Sequence, residues 1–500
     1  MVDEAVPSKP STATVARMAL RSTLWTTLGN YAVQLIGFVS VLWLTRLLPP
    51  EVFGTLSLAT FWTGLLNLRN KLGLNYAAVQ YETDGRLLGT YFVLDGIATV
   101  VSFGMIVLGG ITMVSAGMYA STVAWVMIAM AGIELALCWG GPLGIAIERA
   151  MLLSRSSLIM IVATMIAYAI GIGLAINGGG IWSMVAIPAI NYAIMTLGTV
   201  YICRRFLPEV VKLRWQFDRT LALALIKQGG ATGLSGALLG LVVAQFDNFL
   251  IGTFVNTETL GYYDRAYRVA GWVNLILTMV VGRVGYVTMV RVADDPARLA
   301  HTVRLSVWVV LTLGIPLALV SSFGSFELIQ MLYGNTYVQS SGYLKILALT
   351  NFMWTLITIA FWLSAACKQR QVSLLMSSAH VAVLVIFASP LTIVYGVNGT
   401  LAGVIIAMTL ALAWSTIYIE RTTHLGWRDT YGAHLIATGI TAFITFNITQ
   451  LNIFTILPTF LRLFVIGVVC VCVFGLCLLM LRRAEINDRI NYLRLRWKGN

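Results

Sequence analysis

The chain has 500 residues, of which 58% are hydrophobic and only 11% are charged. A typical soluble domain carries about 25% charged residues, so these side chains are too few to cover several water-facing domains. The composition therefore excludes a multidomain soluble protein and predicts an all-α polytopic membrane protein.

The net charge is +13, from 33 basic and 20 acidic residues. We attribute this excess to membrane topology and to anionic lipid at the cytoplasmic face, and we expect no nucleic-acid partner. The six cysteines fall in apolar stretches or beside basic residues, which is typical of packing residues rather than of a disulfide framework.

Apolar runs of about 18 residues or more predict about fourteen transmembrane helices. The first seven are Leu24–Thr45, Val52–Leu72, Leu88–Ile111, Met118–Gly140, Leu158–Ile176, Ile181–Cys203 and Ala231–Phe254. The other seven are Leu260–Met289, Leu305–Phe323, Tyr343–Cys367, Val372–Tyr395, Leu401–Ile419, His434–Leu451 and Phe460–Leu481.

The basic residues between these spans predict the orientation of the chain. The side that includes both termini holds 25 of the 33 Lys and Arg residues, whereas Arg46 is the one basic residue on the other side. Because Lys and Arg are retained on the cytoplasmic side, we expect both termini to be cytoplasmic. For a bacterial protein this means a multi-pass protein of the inner membrane.

Two similar segments, Leu42–Gly54 and Phe249–Tyr263, indicate an internal repeat. Each runs from a helix end through a tight turn with an acidic residue and a glycine into the next helix. Six spans separate the copies, so the two halves would have the same orientation. We predict an N-lobe at residues 1–215, a C-lobe at 216–425, and two further spans with a basic tail at 426–500. The alternative is that short hairpins between spans simply share turn residues.

The motifs at Arg46–Gly54 and Leu72–Gln80 resemble those of bacterial oligosaccharide-lipid (Wzx-type) flippases of the polysaccharide transporter family. Further segments match in the same order: Phe246–Gly252, Leu260–Tyr263 and Leu332–Gly334. The resemblance implies the multidrug/oligosaccharidyl-lipid/polysaccharide exporter superfamily, with two six-helix lobes around a central cavity. Many relatives have an acidic residue just before Leu-Gly-Leu, where this chain has Arg69 to Lys71, so no role for that acid is carried over.

Three arginines in the eighth span are candidate substrate-binding residues. Helical geometry places Arg265, Arg268 and Arg283 within an arc of roughly 60°, as a basic stripe about 27 Å long. Guanidinium groups bind phosphate through paired hydrogen bonds, so the stripe is a candidate path for an anionic group. The alternative is that all three reach toward the membrane surfaces, with Asp264 paired to Arg268.

Four polar residues at the end of the second span are further candidates for substrate binding. On a helix, Asn67, Asn70 and Lys71 would share a face of about 100°, with Arg69 roughly opposite. Lining a cavity and reaching toward the membrane surface are equally compatible with this position.

Three acids inside predicted spans are candidates for ion coupling or gating. Asp95 and Glu134 lie at similar depth, within reach of Arg69, and could exchange a proton or bind sodium. The alternative is structural pairing with Arg69. Asp247, near the outer end of its span, is expected to cap a helix or pair across the lobe interface, and a packing role is expected for His380.

These features and the resemblance favour a flippase that moves undecaprenyl-pyrophosphate-linked oligosaccharide by alternating access, coupled to H⁺ or Na⁺. We expect no other cofactor and no metal site. Expected partners are the lipid-linked substrate, membrane lipids, and a polysaccharide polymerase with export machinery. The alternatives are a multidrug/cation antiporter of the same superfamily or a membrane polysaccharide polymerase or ligase. The short outer connections argue against an enzyme.

Overall fold

The computed structural model describes residues 12–69, 71–78, 80–81, 83–451, 454 and 456–498. Within these ranges side chains are described except at 12–24, 76, 230–239, 242, 279–280, 283–284, 370 and 482–498. The described residues form helices and short connections, with no β-strand among them. The all-α class predicted from composition is therefore confirmed.

The chain divides into two compact units, Met1–Val242 and Val243–Asn500, and the boundary falls inside one helix. The first ten helices are α1 Thr12–Leu47, α2 Pro50–Leu66, α3 Leu74–Ala78, α4 Gly85–Ser115, α5 Ser121–Leu137, α6 Gly141–Arg149, α7 Leu153–Ile176, α8 Ile181–Phe206, α9 Pro208–Lys212 and α10 Arg219–Phe254. The predicted lobe boundaries at 215 and 425 stay a prediction.

The remaining helices lie in the second unit. They are α11 Thr257–Arg291, α12 Pro296–Phe323, α13 Ser325–Tyr333, α14 Ser340–Ala366, α15 Arg370–Val383, α16 Ser389–Thr423, α17 Ala433–Thr449 and α18 Thr459–Lys498. A π-helical turn, Leu384–Ala388, joins α15 to α16. Helix α12 is central because α11, α14, α16, α17 and α18 all pack against it.

Ten segments of the described chain are long and apolar enough to cross a membrane, which makes this a multi-pass membrane protein. One of them, Gln371–Thr423, has 53 residues and covers two predicted spans. Inside it, Gly396 is non-helical with φ 60° and ψ −139°. A Cβ on Gly403 would lie 2.4 Å from Cα of Ala388, so the chain folds back on itself around Gly396. The exact number of fourteen spans stays a prediction.

The predicted second span, Val52–Leu72, extends beyond the end of the helix that forms it. Helix α2 ends at Leu66, and Asn67 is extended, with φ −76° and ψ 104°. Arg69 and Lys71 lie in turns, and Gly73 has the left-handed φ of 58°. The prediction that Asn67 and Lys71 share a helical face is therefore wrong, because neither residue is in a helix.

The two segments of the proposed repeat have connections of equal length. Two residues separate α1 from α2, and two separate α10 from α11. In the second copy Asn256 caps α11 by accepting a hydrogen bond from the backbone of Thr259 at 2.7 Å. The short hairpin turns predicted at both places are present.

Candidate functional site

A polar cluster in the first unit forms where α2 ends beside α4 and α5. The amide of Asn67 donates to Oε2 of Glu134 at 2.7 Å. Nε of Arg69 donates to Oδ1 of Asp95 at 2.7 Å, which makes an ion pair. Asp95 and Glu134, which were expected to lie within reach of Arg69, are therefore each bound by a residue that follows α2. Arg69 binds Asp95, and Asn67 binds Glu134.

The irregular backbone of this cluster is held by protein groups. The amide of Leu68 donates to Oγ of Ser102 at 2.9 Å. The buried ammonium of Lys71 donates to the carbonyl of Leu65, one of the carbonyls left without a helical partner at the end of α2. Lys71 thus acts as a helix cap, whereas Asn70 lies outside the described residues.

A cavity of about 110 Å³ adjoins the cluster. Arg69, Glu134 and Tyr192 line it, together with small residues that include Gly140 and Gly141. A Cβ on Gly141 would lie 3.1 Å from Oδ2 of Asp95 and 3.4 Å from Nη2 of Arg69, so a glycine lets these groups approach the helix backbone.

Asp95 combines an ion pair with an unused oxygen. The residue is 2% exposed, and its Oδ2 is buried without a hydrogen-bond partner among the described atoms. A buried carboxylate oxygen in this state can accept a proton or a small cation. No group of three or more His, Cys, Asp or Glu side chains suited to a metal ion occurs in the described part of the chain.

In the second unit, Asp264 organises two of the three predicted arginines. Its Oδ2 accepts from Nε of Arg265 at 3.1 Å and from Nε of Arg268 at 2.9 Å. Arg265 is only 2% exposed, whereas the side chain of Arg268 is 55% exposed. The predicted pairing of Asp264 with Arg268 is present. The side chain of Arg283 lies outside the described residues.

The stripe is therefore not a uniform ladder of exposed guanidinium groups. Arg265 is buried in protein near Tyr333 and Tyr337, and Arg268 carries the exposed charge. The positions of Arg265 and Arg268 on the helix could not predict which of them is buried, because burial depends on the other elements that pack against each side chain.

Asp247 pairs inside its own unit. It is 7% exposed and accepts from the hydroxyl of Tyr263 at 2.6 Å and from the backbone N–H of Asn248 at 2.9 Å. Sequence reasoning missed Tyr263, although the short turn between α10 and α11 offered a signal. Asp247 precedes that turn by about as many residues as Tyr263 follows it, which brings the two to similar height on antiparallel helices.

Comparison with known proteins identifies the family. Residues 43–342 match the family described as polysaccharide biosynthesis protein. A curated relative is the succinoglycan biosynthesis transport protein ExoT of Rhizobium meliloti (strain 1021), 25% identical over 352 residues, which cover 68% of this chain and 67% of the relative.

Solved structures share the fold at low sequence identity. The lipid II flippase MurJ in an inward closed conformation aligns with a TM-score of 0.67 at 12% identity, over 93% of this chain and all of that structure. An inward-facing multidrug resistance MATE transporter aligns with a TM-score of 0.55 at 14% identity, over 78% of this chain and 95% of that structure. The MATE multidrug transporter DinF-BH aligns with a TM-score of 0.53 at 15% identity, over 85% of this chain and 98% of that structure.

The match covers more than half of the chain, and the structural likeness extends over most of it. The resemblance recognised from the motifs is confirmed, and the fold is similar to that of the MurJ and MATE transporter structures. The chain belongs to the polysaccharide biosynthesis protein family of polytopic membrane transporters.

Proposed function

We propose that this protein flips an undecaprenyl-pyrophosphate-linked oligosaccharide across the bacterial inner membrane, with both termini in the cytoplasm. Family membership over residues 43–342 carries the proposal. The relative named for succinoglycan biosynthesis transport and the fold shared with a lipid II flippase support it, since the first name describes transport in glycan biosynthesis and the second describes a lipid flippase. The expected mechanism is alternating access without catalytic chemistry.

Arg268 is the described residue best suited to contact the pyrophosphate. Its guanidinium is exposed and is oriented by Asp264, which accepts a hydrogen bond from Nε of Arg268. An oriented guanidinium loses less entropy when it binds an anion than a freely rotating one. Arg265, which is buried beside the same carboxylate, would position this pair rather than touch the substrate.

An excess of arginines over acids at the candidate positions would favour an anionic cargo over a cationic one, but charge pairing weakens this distinction. Arginines outnumber acids at the candidate positions, but Arg69 is paired with Asp95, and both described arginines of α11 share Asp264. The net positive charge offered to a substrate is therefore smaller than the count of arginines suggests. The family match now favours the glycan cargo more strongly than the local charge does.

Asp95 is the proposed coupling residue. Its Oδ2 lacks a partner among the described atoms while Oδ1 binds Arg69, so protonation or binding of Na⁺ would weaken the attraction that holds Arg69. Glu134, held by Asn67 beside the same cavity, is the second acid that could respond. Such a change in pairing would favour one conformation of the transporter only while the ion is bound.

The test uses proteoliposomes that contain the full chain and a lipid-linked oligosaccharide. Flipping is measured by the access of an externally added glycosidase to the glycan. We expect Arg268→Gln to slow flipping at least tenfold, because a hydrogen bond to a charged group contributes about 1.5–3 kcal/mol. Arg298→Gln is the matched control, since Arg298 also pairs with a nearby acid and its side chain is 78% exposed.

Coupling is measured in the same vesicles with an imposed proton or sodium gradient. We expect Asp95→Asn to abolish acceleration by the gradient while slow flipping without a gradient continues. Flipping by Arg268→Gln at the rate of Arg298→Gln would refute the substrate contact. Export of a cationic dye in place of the glycan would favour the antiporter, and new glycosidic bonds would favour the polymerase or ligase.

A further inference from the structure

A second cavity lies within the second unit, and none of its lining residues belongs to the polar clusters described above. Its volume is about 270 Å³. Helices α10, α14, α15 and α16 contribute side chains to it. The lining residues include Trp354, Phe361, Met376, His380, Leu410 and Trp414. No Asp, Glu, Lys or Arg is among the lining residues, so the cavity is apolar apart from a few groups.

His380 is the main polar group of this cavity. It is 4% exposed, and neither ring nitrogen has a hydrogen-bond partner among the described atoms. The backbone of Ala407, which lines the same cavity, lies beside the ring, yet it forms no hydrogen bond with either nitrogen. The ring also packs against Trp354, at 5.9 Å between centroids. Buried side-chain nitrogens are rarely left unsatisfied in folded proteins, and each exception needs an explanation.

The backbone beside His380 is irregular as well. The π-helical turn Leu384–Ala388 begins four residues after His380, which is about one turn along the same face. Such turns insert an extra residue into a helix and are frequent at functional sites. At the rim of the cavity, Leu410 is 50% and Trp414 is 37% exposed in this unit. The cavity thus has an apolar wall, an unused polar group and an open edge.

The lining defines the chemistry of the ligand. An imidazolium would be costly in a cavity with no acid in its wall, so the imidazole is expected to be neutral, with one donor and one acceptor nitrogen. A hydroxyl group satisfies both roles, since it donates and accepts. The size is almost twice that of the ~150 Å³ apolar cavity known to admit benzene, so a hydrocarbon segment on the order of ten carbons would fit.

We propose that this cavity binds an uncharged membrane amphiphile that has a hydrocarbon body and a single hydroxyl group. The hydroxyl bonds to His380, and the hydrocarbon lies between Trp354, Phe361 and Trp414. A prenol and a diacylglycerol are two sources of this chemistry. Binding at this site does not depend on the transported substrate, so the site and the flippase proposal can be tested separately.

The experiment uses the full chain in lipid nanodiscs and two photoreactive probes. One is a long-chain alcohol with a diazirine on its chain, and the other is the corresponding alkane without the hydroxyl. Labelled peptides are identified by mass spectrometry. We expect the alcohol to label the segments that contain Trp354, His380 and Trp414. Because one hydrogen bond is lost, His380→Phe should weaken this labelling about three- to tenfold, and His380→Gln, which keeps a donor and an acceptor, should largely restore it.

Two alanines of α16 provide a matched pair of cavity variants. Ala411 lines the cavity, whereas Ala413 is exposed and does not. Ala411→Leu should block labelling by both probes, and Ala413→Leu should leave it unchanged. Competition by an unlabelled prenol or by a diacylglycerol then identifies the source of the hydroxyl.

Three results would overturn the proposal. Equal labelling by alcohol and alkane, with no effect of His380→Phe, would mean that water alone satisfies the imidazole. Labelling outside the lining segments would mean adventitious partition of the probe into the nanodisc. Failure of both competitors would exclude the two membrane alcohols as ligands.

Discussion

The segment between α9 and α10 crosses the start of α4 at two glycines. The amide of Gln216 donates to the carbonyl of Gly85 at 2.9 Å. The amide of Asp218 donates to Oγ1 of Thr90, also at 2.9 Å. A Cβ on Gly85 would lie 2.1 Å from the carbonyl oxygen of Arg214. A Cβ on Gly89 would lie 2.4 Å from the amide nitrogen of Gln216. These neighbours are backbone atoms, so the segment itself would have to move.

We therefore predict that Gly85→Ala or Gly89→Ala displaces this segment and destabilises the first unit. Loss of two hydrogen bonds at about 1 kcal/mol each gives about 2 kcal/mol. For a unit of this size, a loss of 1 kcal/mol in unfolding free energy lowers the thermal unfolding midpoint by about 2–4 °C. The midpoint of either variant should therefore fall by roughly 4–8 °C. Gly96 and Gly104 are matched controls on the same helix, since a Cβ there meets nothing within 4 Å. Alanine at these controls should be neutral or should stabilise the helix by up to about 1 kcal/mol.

The assay is thermal unfolding of the full chain in nanodiscs, together with limited proteolysis of the connection after α9. The first two variants should unfold at lower temperature and be cut faster than the two controls. Equal midpoints and equal cutting for all four variants would show that the segment does not pack on α4, and the reasoning would fail.

Two further predictions concern the site and the start of α10. Gly141→Ala should reduce gradient-driven flipping by roughly three- to tenfold, because the new Cβ would press on Asp95 and Arg69. Gly144→Ala is the control, since a Cβ there meets nothing within 4 Å and should leave the rate unchanged. Equal flipping rates for the two variants would contradict this packing. Hydrogen bonds from the hydroxyl and amide of Thr220 lower the pKa of Asp218 at the start of α10. A lowered pKa stabilises the fold above the ordinary carboxyl value, and this contribution is lost as the pH falls. Asp218→Ala should therefore destabilise the protein more at neutral pH than in acid below the lowered pKa of Asp218. Thermal unfolding measured across this pH range will test the prediction.

The helices could be predicted because their signals are local. Long apolar runs mark the spans, and Pro49, Asn256 and Gly396 stand at turns that the structure retains. The end of α2 could not be predicted in this way, because Leu65, Leu68 and Leu72 keep the spacing of one helical face beyond Leu66.

The break at Asn67 depends on distant partners. Non-helical backbone at membrane depth is tolerated only where protein groups or water satisfy it. Here Ser102 binds the amide of Leu68, and Lys71 binds the carbonyl of Leu65. Nothing in the spacing of residues 52–72 reveals that a serine some 34 positions later will replace a helical partner. A similar limit applies to His380, whose lack of partners among the described atoms is visible only once four helices surround it.

The same limit governs the arginines of α11. Helical periodicity gives Arg265 and Arg268 almost the same direction, and a count of charges treats them alike. In the folded chain one carboxylate, Asp264, binds both, yet one guanidinium is buried and the other is exposed. Removal of Arg265 would leave an empty space in the protein interior near Tyr333 and Tyr337 and would take the buried partner from Asp264, which is a folding defect. Removal of Arg268 would take away the exposed charge and leave that acid paired. A loss of flipping in Arg265→Ala is therefore no measure of substrate contact, and the comparison of Arg268→Gln with Arg298→Gln has to decide the question.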